Sequence, residues 1–274
     1  MLRRSLLLAA VLAAVPASSL ADGFMPVADP NADLAAPDGK VVVSPRPHGA
    51  RTVVTVSARD GGQLARRTLP GHYGVPVVTF PGALAGFAAD GRTLVLAGVP
   101  RAYPATVSHL AVLDPQLRSL RTLTFRGDYS FDAISPRGAL LYLIQHVSRK
   151  DLWAYQVRVY DLRANHLRPH PIVDPVEHEW KMSGTPLERL SSADGSRVYT
   201  LYLTSKGTVF VHALDAVHAT ARCIDLPWKD RSGMWPWRLR LAFGRSGLEL
   251  RDGGHVAASI DTRASRVRHA APSP

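Results

Sequence analysis

The chain has 274 residues, 46% of them hydrophobic, and 33 Lys and Arg stand against 22 Asp and Glu for a formal charge of +11. That hydrophobic share supplies a packed core, and the single cysteine, Cys223, excludes an intramolecular disulfide framework. Arginine is scattered through the whole chain, with no dense basic run and no aromatics interleaved with a basic stripe, so specific nucleic-acid binding is not expected.

At the start, Arg3 and Arg4 precede a short apolar core, Leu6 to Val15, and Ser19-Leu20-Ala21 supplies the small residues read by a signal peptidase. This predicts cleavage after Ala21 and a secreted or extracytoplasmic mature chain. The apolar core is shorter than the roughly 20 residues of a spanning helix, and no Cys follows the cleavage point to carry a lipid. Loss of Arg3 and Arg4 takes the formal charge from +11 to +9. Spread charge of one sign suits loose association with anionic surfaces such as cell-wall polymers or lipid head groups. Residues 22–32 read as an N-terminal linker, 33–271 as one repeat-built domain and 272–274 as a tail.

From residue 33 on, one pattern recurs five times: a small or apolar strand, a turn ending in Gly, then an alternating apolar strand. The turn glycines are Gly39, Gly91, Gly138, Gly195 and Gly247, spaced by 52, 47, 57 and 52 residues. An apolar residue followed by Asp marks four of the units, at Asp114, Asp161, Asp215 and Asp261. Self-similarity at this period predicts an all-β fold of about five four-stranded antiparallel blades, a β-propeller. In the first three units the second and third strands fall at 40–44 and 52–56, 92–97 and 107–113, and 140–145 and 156–160. The fourth unit is the clearest, with strands at 187–191, 197–203, 208–214 and 220–226. The fifth has strands at 248–251 and 255–260. No segment shows a helical period.

The stretches SPRGALLYLI, from Ser135 to Ile144, and SADGSRVYTLYL, from Ser192 to Leu203, resemble YVTN and WD40-like β-propeller repeats. The resemblance implies a propeller and leaves function open, because such folds host enzymes, receptors and scaffolds alike. No Trp-Asp dipeptide closes the repeats, which sets the chain apart from WD40 proteins proper.

In an up-and-down meander the first-to-second and third-to-fourth turns lie at one end of each blade, and these are short. The remaining connections are expected to be long and to gather the aromatics at the other end. Binding is therefore expected there, at Tyr73, Tyr103, Tyr129, Trp153, His178, Trp180, Trp235 and Trp237. The longest connection, PHPIVDPVEHEWKMSGTP, holds His170, Asp174, Glu177, His178 and Glu179, but its spacing matches no zinc or calcium loop. No metal or other cofactor is expected. In DRSGMWPWRLRL, Trp235 and Trp237 flank a proline and either present paired indoles or plug the last blade.

Five-bladed propellers include glycoside hydrolases that use two carboxylates at a set separation, and only Asp132 and Glu188 sit near such positions here. No GxSxG, HExxH or phosphate loop occurs. The expectation is a monomeric, non-catalytic binding or structural module whose partner is an unknown protein or a cell-envelope glycan. An extracytoplasmic hydrolase of glycosidase or lactonase type is the alternative. A quinone-binding or redox propeller lacks its expected motifs.

Overall fold

The computed structural model describes residues 27–270, except 149–150, 152–153, 177–181, 230–234 and 246. The expected signal peptide lies outside the described residues, as do Trp153, His178 and Trp180.

Two recurrent turns build the fold. Gly39, Gly91, Gly138 and Gly195 adopt φ of 67°, 68°, 67° and 69°, and each donates its N–H to the carbonyl three residues earlier at 2.8–2.9 Å. Asp38, Asp90 and Asp194 precede three of them and accept from the N–H two residues on, which closes the turn with a side chain. The second turn explains the repeated Asp. Asp161, Asp215 and Asp261 each accept from the N–H groups two and three residues ahead. Four residues after each Asp the backbone turns left-handed, at Asn165, Ala219 and Ser265. Asp114 does the same work for the turn at Leu117.

Strand β1 (Ala28–Asp29) precedes sheet I, made of β2 (Leu34–Ala35), β3 (Val41–His48), β4 (Arg51–Ala58) and β5 (Gln63–Pro70). Sheet II holds β6 (Tyr73–Pro76), β7 (Leu94–Gly98), β8 (Val107–Leu113) and β9 (Leu120–Arg126), and β1 adds to it by pairing with β6. Within the stretch expected as a linker, Ala28 and Asp29 are therefore built into a blade. Sheet III holds β10 (Asp128–Ile134), β11 (Leu140–His146), β12 (Ala154–Asp161) and β13 (His166–Leu167), with β14 (Met182–Ser183) on β12. Sheet IV is β15 (Thr185–Ser191), β16 (Arg197–Leu203), β17 (Thr208–Asp215) and β18 (Thr220–Lys229). Sheet V is β19 (Leu239–Gly244), β20 (Gly247–Asp252), β21 (His255–Asp261) and β22 (Arg266–Ala270). All the pairings are antiparallel. The fold is a β-propeller of five antiparallel blades.

Alternation along the strands places the core between blades. Val54, Val56 and Leu69 of sheet I pack on Leu94, Leu96 and Ala111 of sheet II. The other face of sheet II, with Val95 and Leu110, meets Phe131, Leu141 and Leu143 of sheet III. Sheet III then meets sheet IV through Tyr142, Val157, Val198 and Leu214, and sheet IV meets sheet V through Leu201, Val211, Leu239 and Leu250. Among the described residues no apolar cluster spans a fifth junction. The outer face of sheet I carries Ser44, Thr55 and Arg66 in register, and that of sheet V carries Arg240 opposite Arg251.

The innermost strand of sheet II departs from the repeat. Its Tyr73 and Gly74 pair with Gly98 and Ala97, but its lower half is only the bridge from Phe87 to Leu94. Between them residues 77–85 leave the blade and cross towards the far side, and the Gly86 carbonyl accepts from Val95 where the chain returns. Phe80 donates its N–H to the Pro186 carbonyl at 2.8 Å, and its ring meets Trp237 edge-on at 5.4 Å. This excursion ties sheet II to sheets IV and V across the middle of the ring.

The first-to-second strand turns of sheets I to IV gather on one face. A Cβ added at Gly195 would lie 2.6 Å from the Ala89 Cβ, a contact no rotamer relieves. Gly195→Ala should therefore lose about 2 kcal/mol or more in urea denaturation, whereas Gly49→Ala, with similar φ and open space, should lose only about 1. Equal losses would mean that backbone strain alone matters.

Candidate functional site

Two of the candidate tyrosines arise from a corner that the sequence repeats. At the passage from β5 to β6 the buried Thr52 hydroxyl donates to the Gly71 carbonyl at 2.9 Å and accepts the Tyr73 N–H at 2.8 Å. At the passage from β9 to β10 the Ser108 hydroxyl makes the same pair with Gly127, at 2.9 Å, and Tyr129, at 2.8 Å. These corners hold two residues and one residue, not the long loops expected there. Gly-x-Tyr marks both in the sequence, but the hydroxyl partner lies about twenty residues upstream and is found only by the fold. Tyr73 and Tyr129 are 6% and 8% exposed.

A cleft of about 830 Å³ opens where sheets I and II part, at the end of β5. Its floor is Tyr73, His109, Thr122 and Thr124, and its wall is the connection from β7 to β8, with Arg101 and Tyr103. That wall is anchored at both ends, since Val99 donates to the His72 carbonyl at 2.9 Å and Gly127 donates to the Thr106 carbonyl at 2.8 Å. Tyr103 keeps 39% of its surface exposed, yet its hydroxyl is bonded to the Val27 backbone beside Asp128. Burial pushes this phenol up to about 12, the Val27 bond opposes that, and the Asp128 charge adds to it. Burial also raises the Tyr73 phenol, whose hydroxyl bonds Thr122. His109 Nδ1 lies 3.1 Å from the Thr124 hydroxyl.

The cleft thus offers two phenols, two imidazoles, a guanidinium and three threonine hydroxyls, and no carboxylate lines it. A cavity of this size accepts a small ligand or a short segment of polymer. Without a carboxylate pair it has no acid and base for glycoside hydrolysis.

A second cavity, about 200 Å³, opens at the face of the short turns and is lined by Phe87, Ala89, Asp132, Arg189, Ser192 and Gly195 among others. Arg189 Nη1 donates to the Asp132 carbonyl at 2.5 Å and Nη2 binds its carboxylate, with 8% and 5% of the two side chains exposed. No second carboxylate joins Asp132 there. Glu188 is raised by burial, and the charge of Arg240 opposes the shift.

The remaining candidates fall elsewhere. Tyr129 packs on Phe125 at 5.2 Å. Trp235 meets Trp228 edge-on at 4.8 Å and donates its indole N–H to Asp252 at 3.2 Å, and Trp237 holds Phe80. Both indoles are half-buried. Asp174 is a structural anchor: burial would raise it, but the N–H groups of Val176 and Cys223 and the Arg222 guanidinium outweigh that and hold it low. Among the described residues no three His, Cys, Asp or Glu side chains converge as metal ligands, and no helix is long and apolar enough to cross a membrane.

No protein-family model matches the chain, and no curated protein resembles it in sequence. Solved structures do resemble it in shape. A putative TolB from Agrobacterium tumefaciens is 17% identical, with 70% of this chain and 64% of that one covered at a TM-score of 0.41. The β-propeller domain of Cps50 (Swd1) from Myceliophteria thermophila is 12% identical, with 84% and 63% covered and a TM-score of 0.46. A putative 6-phosphogluconolactonase from Bacteroides uniformis is 14% identical, with 88% and 69% covered and a TM-score of 0.46. The chain spans less than two-thirds of the length of the first two.

Proposed function

We propose that this protein is an exported, monomeric, single-domain propeller that acts as a non-catalytic binding module outside the cytoplasmic membrane. Its ligand is a hydroxyl-rich segment of a cell-envelope glycan or a short protein segment seated in the cleft between sheets I and II. The observation that carries this reading is the lining of that cleft. Tyr103 offers an aromatic face over the buried Tyr73, His72, His109, Thr122 and Thr124 offer hydrogen bonds, and Arg101 offers charge, all on a scaffold held at both ends. Such a mixture suits recognition, in which a few rigid aromatics supply contact area and polar neighbours fix orientation. The alternative of a glycosidase or lactonase gains nothing from this cleft, because its lining lacks carboxylates.

The test starts from a pull-down on cell-envelope material with the chain residues 22–274 as bait, followed by calorimetry on the ligand recovered. Tyr103→Ala and Arg101→Ala should each weaken binding by about thirty-fold, near 2 kcal/mol, with little change in thermal midpoint for Arg101→Ala and a modest fall for Tyr103→Ala, which also loses the bond to Val27. Trp235→Ala should lower the midpoint and leave affinity alone, because its indole is packed on Trp228. Full affinity in both cleft variants would move the site off this face.

A further inference from the structure

We propose that the outer face of sheet I is a second binding site, for a linear phosphate-bearing polymer without bases. The face is built by register. On β3 and β4, Arg46 lies opposite Val53 and His48 opposite Arg51, while Arg66 of β5 lies opposite Thr55. The inner side of the same sheet, with Val54, Val56 and Leu69, is spent on sheet II. The outer side meets no apolar partner among the described residues.

Its charge is mostly positive, with Asp33 reaching its edge to bond Ser44 and Arg46. No Asp or Glu occurs from Lys40 through Ala58 or from Gly61 through His72. Of the four arginines on β3, β4 and β5, two are already engaged. Arg46 is bound by Asp33 at 2.5 Å, and Arg67 turns to the carbonyls of Leu117 and Arg118 at 2.7 and 2.9 Å. Arg51 and Arg66 are exposed and have no bonded partner among the described residues. Together with His48, Val53, Thr68 and the engaged Arg67 they line an open groove of about 600 Å³.

Arg51 and the register partner of Arg66 are four residues apart on β4, roughly 13 Å along the strand. One phosphate is too small to engage both guanidinium groups, whereas several linked phosphates lie along them, each guanidinium forming a charge-assisted, bidentate pair. The absence of any Phe, Tyr or Trp between residues 27 and 72 leaves no ring on which a base could stack, which sets nucleic acid aside. Unlike the cleft, this groove recognises charge and owes nothing to the aromatics, so the two sites stand or fall separately.

Calorimetry of the full chain with linear inorganic polyphosphate tests this. Binding is expected at low salt and should weaken steeply as salt rises. Arg51→Ala combined with Arg66→Ala should weaken it by about ten-fold or more, with the thermal midpoint unchanged. A control of equal charge, Arg92→Ala with Arg163→Ala at two exposed positions elsewhere, should stay within about two-fold of the parent. Equal losses in the two double variants would reduce the effect to net charge and overturn the proposal. So would unchanged binding in the groove variant, or tighter groove-dependent binding of oligo(dT) or anionic lipid vesicles than of polyphosphate.

Discussion

Replacing Arg189 with alanine is expected to lower the unfolding free energy by about 3–5 kcal/mol, a large share of what holds a domain together. The change leaves the Asp132 carboxylate buried without its cation and removes the donor from the Asp132 carbonyl. Asp132 is only 4% exposed, so the loss of both bonds is felt in the packed interior. Asp132→Ala should be as severe, because Arg189 already carries one buried N–H, at Nε, without a partner. Removing both charges together, as Asp132→Leu with Arg189→Met, should recover much of the loss, since it abolishes the unpaired charge as well as the pair. Urea denaturation of the three variants gives the comparison. A loss below about 1 kcal/mol in both single variants would show that the pair is solvated as a surface pair is.

The second large effect is acid sensitivity centred on His212. This imidazole lies in the packing between sheets III and IV, 4% exposed, with the Tyr202 ring edge-on at 6.4 Å and Phe210 stacked on Tyr202 at 5.1 Å. Burial lowers its pKa from 6.5 to about 4, the charge of Asp132 opposes the shift, and that of Arg189 adds to it. In the unfolded chain the same group takes up its proton near pH 6.5. The unfolded state therefore binds more protons than the folded one between pH 6.5 and about 4, and stability falls as pH falls through that window. The span corresponds to an order-of-magnitude loss of 3 kcal/mol, complete near pH 4 and absent above pH 7. Denaturation of the parent and of His212→Gln at pH 7.5, 6, 5 and 4 would separate this contribution from that of the carboxylates. Parallel slopes in the two proteins would exclude His212 as the cause.

Much of the fold is legible because its signals are local. The fourth unit illustrates this: strands expected at 187–191, 197–203, 208–214 and 220–226 are found at 185–191, 197–203, 208–215 and 220–229. Asp194 and Gly195 supply the turn, and the period of two supplies the buried face. The repeated Asp was also visible, and its role as acceptor for the next turn follows from the reach of its side chain.

The inner strand of sheet II was not legible. The repeat before Gly91 marks only its lower end, at Gly86 and Phe87, whereas β6 begins at Tyr73 and residues 77–85 leave the sheet for Pro186 and Trp237. An apolar run with scattered Pro and Gly reads equally well as strand or as crossing loop, and only partners more than a hundred residues away decide between them. The same distance hid the site. Tyr73 and Tyr103 are visible as aromatics, but His109, Thr122 and Thr124 join them only because β8 and β9 form the floor, and Thr52 is silent until it closes the corner at Gly71.

By itself, the sequence determined the repeat, the positions of most turns and the alternation that buries one face of each strand, since these depend on residues within a few positions of one another. Tertiary structure alone decided which blade faces become interfaces, that the outer face of sheet I stays polar, and that a cleft opens between sheets I and II. Those outcomes depend on whether two surfaces far apart in the chain are complementary in shape and charge. An arginine on a strand carries no mark that tells whether it will meet a carboxylate, as Arg189 does, or open space, as Arg51 does.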